Sequence, residues 1–290
     1  MPELPEVQTI VNDLNKKIIG KTIIGFWSDW KKRVRPSLTK FKVAILKAKI
    51  VKINRIGKHI VLDLNNNYSV LIHLKMAGYL LCEEPLNTLA HDKYPDKKIR
   101  QYVHHIFYFT DKSKLKFSDT RKFGWLKAIK TKDIQNTPEI LRLGIGALDS
   151  KLTFKKFNAL CDRKRKSKIG VALLDQKWIA GIGNIYRSEI LFDAKIHPAR
   201  TLDNLTKIER RKIYKSMRQI LNKAIRMRGT SDVDYRDTAG QKGGYQKLLK
   251  VYRKTGQPCF YCKGRIKRIK LGQRSAFFCS KCQKLKTTTN

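Results

Sequence analysis

Apolar residues at Val7, Ile10, Val11 and Leu14 fall three and four positions apart behind Pro5, and Gly20 closes the pattern. That spacing predicts one helix at the start of the chain. Beyond it the period changes to two. Ile60, Leu62 and Leu64 alternate with His59, Val61 and Asp63, and a turn at Asn65-Asn66-Asn67 leads into Tyr68–Leu74. A second hairpin reads His105–Phe109, a turn at Asp111–Ser113, then Leu115 and Phe117. With the Phe41–Ile53 run and Trp125–Ile129, residues 1–131 are expected to hold a helix and at least five or six strands in a β-sandwich.

Residues 132–150 carry Pro138 and several glycines and read as a linker. The pattern then turns helical over 151–250. Phe154, Phe157, Leu160 and Cys161 form one stripe, and a helix is predicted to begin near Asn184. Another carries Ile213, Met217, Ile220, Leu221 and Ala224, opened by the capping box Thr206-Lys-Ile-Glu209. The glycine-rich stretch 229–250 has no period and reads as a long mobile loop. Residues 251–290 form a cysteine module. The expected class is therefore α+β and multidomain.

Charge narrows the function. Lys and Arg number 64 against 23 acids, a formal net charge of +41 spread along all 290 residues. Solubility needs far less, so a polyanionic partner is expected. Nucleic acid comes before an anionic membrane, because no amphipathic lipid-binding stretch stands out. No apolar signal region or membrane-length segment is visible, which points to a reducing, cytoplasmic setting. Cys82 and Cys161 are isolated among apolar residues and read as core cysteines.

Four stretches carry chemistry. Cys259-x2-Cys262-x16-Cys279-x2-Cys282 has the spacing of a four-thiolate zinc site. A closed site of this kind folds its module and does no chemistry, and the hairpin it braces is basic, suiting phosphate contact. Gly181-Ile182-Gly183-Asn184 is a glycine turn running into a helix, either a tight turn or a phosphate grip with Asn184 as cap or ligand. Met76 and the segment Asp119–Gly124, with Arg121 and Phe123, end strands, as core or as a wedge filling the space of an extruded base. The opening Met1-Pro2-Glu3-Leu4-Pro5-Glu6-Val7 reads as a helix start with acid at its positive end. On these residues alone the helix start is the stronger reading; the other is a secondary amine, after removal of Met1, that could attack a sugar C1′ beside the acid Glu3.

These stretches occur in one order: Met1–Val7, Lys58 after Arg55-Ile56-Gly57, His73–Gly78, Asp119–Gly124, Leu173–Gln176 through Gly181–Tyr186, and Gln257 to Gln283. Together they closely resemble the bacterial formamidopyrimidine-DNA glycosylase family over nearly the whole chain. The resemblance implies an N-terminal β-sandwich with its first helix, a helix–two-turn–helix domain and a C-terminal zinc-ribbon hairpin, with damaged double-stranded DNA in the cleft between. It implies a glycosylase and abasic-site lyase for oxidised purines, holding one structural zinc ion; no assembly interface is visible in the sequence, so a monomer is expected. Pro2 would be the Schiff-base nucleophile and Glu3 the acid for base release. Lys58 and Arg274 would serve β- and δ-elimination and phosphate contact, and Asn184 would grip the backbone. Met76, Arg121 and Phe123 would fill the void, and Tyr102 and Arg165 fall at further DNA-contacting positions.

Some positions depart from the family pattern. Lys75 and Ala77 replace a glycine and a serine, and Gly146-Ala147 stand where an acid and proline are common. Gly170 stands where a lysine near the lesion is common, so a base contact is expected to be lost. Asp232 and Asp234 are unusual in Thr230–Tyr235, the stretch matching the loop that caps 8-oxoguanine. The rival readings are an endonuclease VIII-like enzyme for oxidised pyrimidines and a non-catalytic DNA-binding relative.

Overall fold

The computed structural model describes residues 1–85, 101–232 and 234–285. The chain folds as two compact units, Met1–Leu141 with Ile225–Gln246, and Arg142–Ala224 with the chain from Lys247.

The first unit opens with α1 (Leu4–Lys17). Its sheets are five-stranded, β2-β9-β5-β4-β3, and four-stranded, β1-β7-β8-β6. The strands are β1 (Ile23–Ser28), β2 (Val34–Arg35), β3 (Ile50–Ile56), β4 (His59–Leu64), β5 (Tyr68–His73), β6 (Gly78–Glu83), β7 (Val103–Phe109), β8 (Lys114–Asp119) and β9 (Trp125–Lys130). Residues of both sheets and of the inner face of α1 share one core, in which the rings of Phe26 and Phe107 lie 4.8 Å apart. The expected sandwich is present, and both expected hairpins pair antiparallel.

Two local expectations are corrected. The Phe41–Ile53 run is not one strand: its first part belongs to α2 (Leu38–Ile45). Ser37 caps that helix by accepting from Lys40 N–H, and Phe41, Ala44 and Ile45 bury one helical face. Nor does β4 alternate, because His59 and Val61 are buried along with Ile60 and Leu62. Both faces of that strand are covered, so hydrophobic alternation understates it.

The second unit is mainly helical. Its elements include α3 (Phe154–Arg163), α4 (Ile169–Ala172), α5 (Asn184–Asp193) and α6 (Lys207–Arg226). The Thr206 capping box is formed, with Thr206 N–H on Glu209 Oε2 at 2.9 Å and Glu209 N–H on Thr206 Oγ1 at 3.2 Å. A two-stranded ribbon, β10 (Ile266–Leu271) and β11 (Arg274–Cys279), ends the unit. Among the described residues, no helix is long and apolar enough to cross a membrane.

Candidate active site

The chain start is built to be rigid. Met1 is 51% exposed, whereas Pro2 and Glu3 are buried. Glu3 is the cap of α1, and its N–H donates to Glu6 Oε2 at 2.8 Å while the Glu3 carboxylate takes the Glu6 N–H in return. The other Glu6 oxygen accepts from Thr230 N–H at 2.7 Å. Glu6 is therefore a structural acid, with both oxygens held by backbone donors. Gly229 must be glycine here: its φ is +79°, and a Cβ would lie 2.8 Å from Glu6 Oε1. The rest of the 229–244 stretch is pinned too. Arg228 donates to Asp13 and Asp237, each at 2.6 Å, and Tyr235 is buried in the main core. In that stretch Asp232 is half-buried and Asp234 exposed.

Lys58 sits in the β3–β4 turn and is only 6% exposed. Gly57 supplies the left-handed φ of +57° the turn needs. Arg55 clamps it, donating from Nη1 to Gly57 O and from Nε to Gln8 Oε1 on α1, both at 2.8 Å. The amine end of the chain and the Lys58 turn are thus tied through one side chain.

Next to Lys58 is a cluster that sequence reasoning did not single out. The His59 and His73 rings lie 4.6 Å apart, and each packs on Trp125. Burial holds both imidazoles neutral. It lowers His59 to about 4 and His73 well below its ordinary value, with the charges of Lys75 and Lys58 adding to the effect on His73. Lys75 N–H donates to His73 Nδ1 at 2.9 Å, so the ring's proton sits on Nε2 and makes it a neutral donor. The only signal for this cluster is strand register, which sets His73 opposite Trp125 and runs His59 antiparallel to it.

Met76, Arg121 and Phe123 come from two strand-end loops and meet. Arg121 Nη1 lies 3.3 Å from Met76 Sδ, and its guanidinium stacks 5.0 Å from the Phe123 ring centre. Phe123 is 40% exposed, so the core reading fails for it. Asp119, itself buried, shapes the loop: Oδ1 accepts from Arg121 N–H at 3.0 Å, and Oδ2 from Phe123 and Gly124 N–H at 2.8 and 2.7 Å. Gly124 has no room for a side chain, since a Cβ would lie 2.4 Å from the Phe117 ring. Tyr102 is placed by its carbonyl, which accepts Asp119 N–H at 2.9 Å.

In the second unit, Gln176 braces the glycine turn, its Oε1 taking Gly181 N–H at 2.9 Å and its Nε2 donating to Ile182 O at 2.8 Å. The cap of α5 is Gly183, so Asn184 is the first helical residue and not the cap. Its Oδ1 accepts from Arg187 Nη2 at 2.6 Å. Arg274 is exposed at the tip of the ribbon, after Gly272 at φ +60°. Arg165 is exposed, with its carbonyl bonded to Asp203 N–H. Gly170 is a packing glycine. A Cβ would meet Leu271 Cδ2 and Pro198 O, both at 2.7 Å, so space excludes a side chain there.

The four cysteine sulfurs lie within 4.8 Å of one another, with Cys259–Cys282 at 3.8 Å and Cys262–Cys279 at 3.5 Å. A tetrahedral zinc with bonds of ~2.3 Å separates its sulfurs by ~3.8 Å, so the donor set fits the ion. Gln283 fastens the knuckle, accepting Cys279 N–H at 2.9 Å and donating to Ile196 O at 2.8 Å. Buried Glu189 on α5 takes the N–H groups of Lys250, Val251 and Tyr252 at 2.9–3.0 Å, fixing the irregular segment that enters the module.

Known proteins match this architecture. Residues 1–126 match the profile of the formamidopyrimidine-DNA glycosylase N-terminal domain, 143–235 its H2TH domain, and 256–285 the zinc finger found in FPG and IleRS. The formamidopyrimidine-DNA glycosylase of Pelotomaculum thermopropionicum is 37% identical, covering 99% of this chain and 100% of its own. That of Listeria innocua is 35% identical, covering 98% and 100%. Lactococcus lactis Fpg, solved in complex with DNA containing an abasic site, superposes with a TM-score of 0.85 at 31% identity, covering 97% of this chain and 99% of its own. A MutM complex with DNA containing carbocyclic 8-oxo-G gives a TM-score of 0.85 at 30% identity, covering 98% and 100%.

Proposed function

This chain belongs to the formamidopyrimidine-DNA glycosylase family, and from that premise we propose that it excises oxidised purines from duplex DNA and then cuts at the resulting abasic site. The observation that carries the reading is the Met76–Arg121–Phe123 cluster, an apolar and cationic group facing solvent on two braced loops. A wedge of this kind is what extrusion of a nucleotide requires, because the N-glycosidic carbon is out of reach inside the stack. The apolar tips fill the vacated space and Arg121 addresses the orphaned base.

With Met1 removed, the Pro2 nitrogen attacks C1′ of the extruded nucleotide. Glu3 provides the proton for base departure and sugar opening. The C1′–base bond breaks and a C1′ iminium remains on Pro2, an electron sink that acidifies the C2′ hydrogen. Loss of that proton expels the 3′ phosphate, and a second elimination expels the 5′ phosphate. Lys58 and Arg274 serve these steps and bind the flanking phosphates. Asn184, Tyr102 and Arg165 hold the backbone. Cys259, Cys262, Cys279 and Cys282 hold one zinc ion, whose work is to fold the ribbon that carries Arg274. The enzyme acts as a cytoplasmic monomer.

The test is borohydride trapping on a duplex with one 8-oxoguanine opposite cytosine, using the wild type and Pro2→Gly. A covalent adduct that the variant loses is expected. Preferential trapping on thymine glycol would move the substrate to oxidised pyrimidines. Absence of an adduct on 8-oxoguanine and on an abasic site alike would leave a DNA-binding protein that does not cut.

A further inference from the structure

Arg187 is the largest fully buried side chain among the described residues, at 0% exposure. It lies on α5 one turn after Asn184, and its guanidinium joins three separate pieces of backbone and side chain. Nη1 donates to Gly170 O at 3.0 Å, and Nη2 donates to Asn184 Oδ1 at 2.6 Å and to Ser275 O at 2.5 Å. Ser275 is the residue after Arg274 in β11.

The chemistry of the donor decides which way the Asn184 amide points. A guanidinium has five donors and no acceptor, so only the carbonyl end of an amide can face it. Nδ2 is then turned away from Arg187, and it has no partner among the described residues. A phosphodiester oxygen only accepts, so Nδ2 is the single end of this side chain able to serve it. An amide flipped the other way would set Oδ1 against the phosphate. The same nitrogen that fixes the amide also holds the Ser275 carbonyl, and with it the strand from which Arg274 projects. Burying a guanidinium is costly unless its donors are met, and here the two Nη groups are met by acceptors beside both candidate phosphate contacts.

We propose that Arg187 is a positioning residue that couples the glycine turn to the zinc ribbon, setting the Asn184 amide for donation and the Arg274 strand in register with it. The inference rests on the proposed DNA contacts of Asn184 and Arg274. It predicts that these contacts form or fail together.

The experiment measures affinity for a duplex carrying an uncleavable tetrahydrofuran abasic analogue, as a function of salt, on zinc-loaded Arg187→Gln, Arg187→Lys, Asn184→Ala, Arg274→Ala and their pairings. Asn184→Ala is expected to weaken binding ~10-fold, the scale of one hydrogen bond. Arg187→Gln should weaken it at least as much, and Asn184→Ala made on top of it should cost less than twofold more. Arg187→Gln should also reduce the slope of log affinity against log salt by ~0.9, as Arg274→Ala does, because one cation–phosphate contact is lost. Loss of packing alone would lower stability without moving that slope. If Arg187→Gln fails to retain zinc, Arg187→Lys carries the test, since one ammonium cannot hold all three acceptors in plane. Full additivity with Asn184→Ala, or an unchanged salt slope, would overturn the proposal. If Asn184→Ala and Arg274→Ala themselves leave binding unchanged, the DNA contacts fall first, and the coupling falls with them.

Discussion

Asp119→Ala withdraws the acceptor around which the wedge loop is folded. Three backbone N–H groups converge on this one carboxylate, at 3.0, 2.8 and 2.7 Å. A hydrogen bond to a charged group is worth ~1.5–3 kcal/mol net, but the three do not count equally. Arg121 and Phe123 are exposed, so their amides can turn to water once released. Gly124 is buried against Phe117 and cannot. Counting the buried bond in full and discounting the other two gives ~3 kcal/mol of local stability. Because the chain has two units, a global unfolding midpoint is a poor reporter. Amide exchange is better: opening the loop ~3 kcal/mol more easily speeds exchange at Phe123 and Gly124 by ~100-fold. The proposed function adds a second readout. A loosened wedge should slow excision of 8-oxoguanine, which needs extrusion, more than cleavage at an abasic site, which has no base to extract. Unchanged exchange at Phe123 and Gly124 would refute the latch. Faster exchange with the two activities falling in equal ratio would refute the wedge.

Two other perturbations follow from buried imidazoles and buried carboxylates in the same unit. Burial lowers both His59 and His105 to about 4. In the unfolded chain they titrate near ~6.5, so between those values the unfolded state binds protons that the folded state refuses. Their stabilising contribution is complete above pH ~6.5 and is lost as pH falls toward 4, on the order of 2–3 kcal/mol per ring. Amide exchange of the core strands of that unit, followed against pH, should show this acid slope, and His59→Gln with His105→Gln should flatten it; a slope unaffected by both would count against neutral buried rings. Arg228 occupies a left-handed conformation at φ 61° while pairing with Asp13 and Asp237. Arg228→Ala keeps the strain and loses the pairs, whereas Arg228→Gly loses the pairs and relieves ~1 kcal/mol of strain. Glycine should therefore be the milder substitution by about that amount in the same assay, and equal or reversed effects would contradict it.

What was legible in the sequence was local. The first helix, both hairpins, the Thr206–Glu209 capping box and the cysteine pairs each declare themselves within about twenty residues. The short helix Leu38–Ile45 was hidden because its apolar residues run on into a true strand, so that one apolar stretch spans two elements. Contacts across the chain were not legible at all. Glu6 meets Thr230 across 224 positions, and Asp13 meets Arg228 across 215. Period and propensity carry no information about which distant turn an acid will serve. The same holds for the histidine cluster, which exists only once β4, β5 and β9 are in register. The sulfur ligands were legible because metal-binding spacing is itself local.

A net charge of +41 with 23 acids poses a question that the buried acids answer. If carboxylates mainly neutralised lysines, the shortage would merely leave cations unmatched. Instead the buried ones are turned toward backbone. Glu6 takes the N–H groups of Glu3 and Thr230, Asp119 takes three in the wedge loop, and Glu189 takes three at the entry to the zinc ribbon. Asp237 takes those of Ala239 and Gln241 and shares Arg228 with Asp13. Glu6, Asp119 and Glu189 each fix backbone that leads to a candidate functional group, and they do so through backbone N–H donors. Backbone amides stabilise a carboxylate by oriented dipoles, so an acid can organise structure while the basic side chains around it stay available. The imbalance is therefore a division of roles. Acids are placed where turns must be fixed, and the surplus of Lys and Arg is left to meet the phosphates of a polyanion.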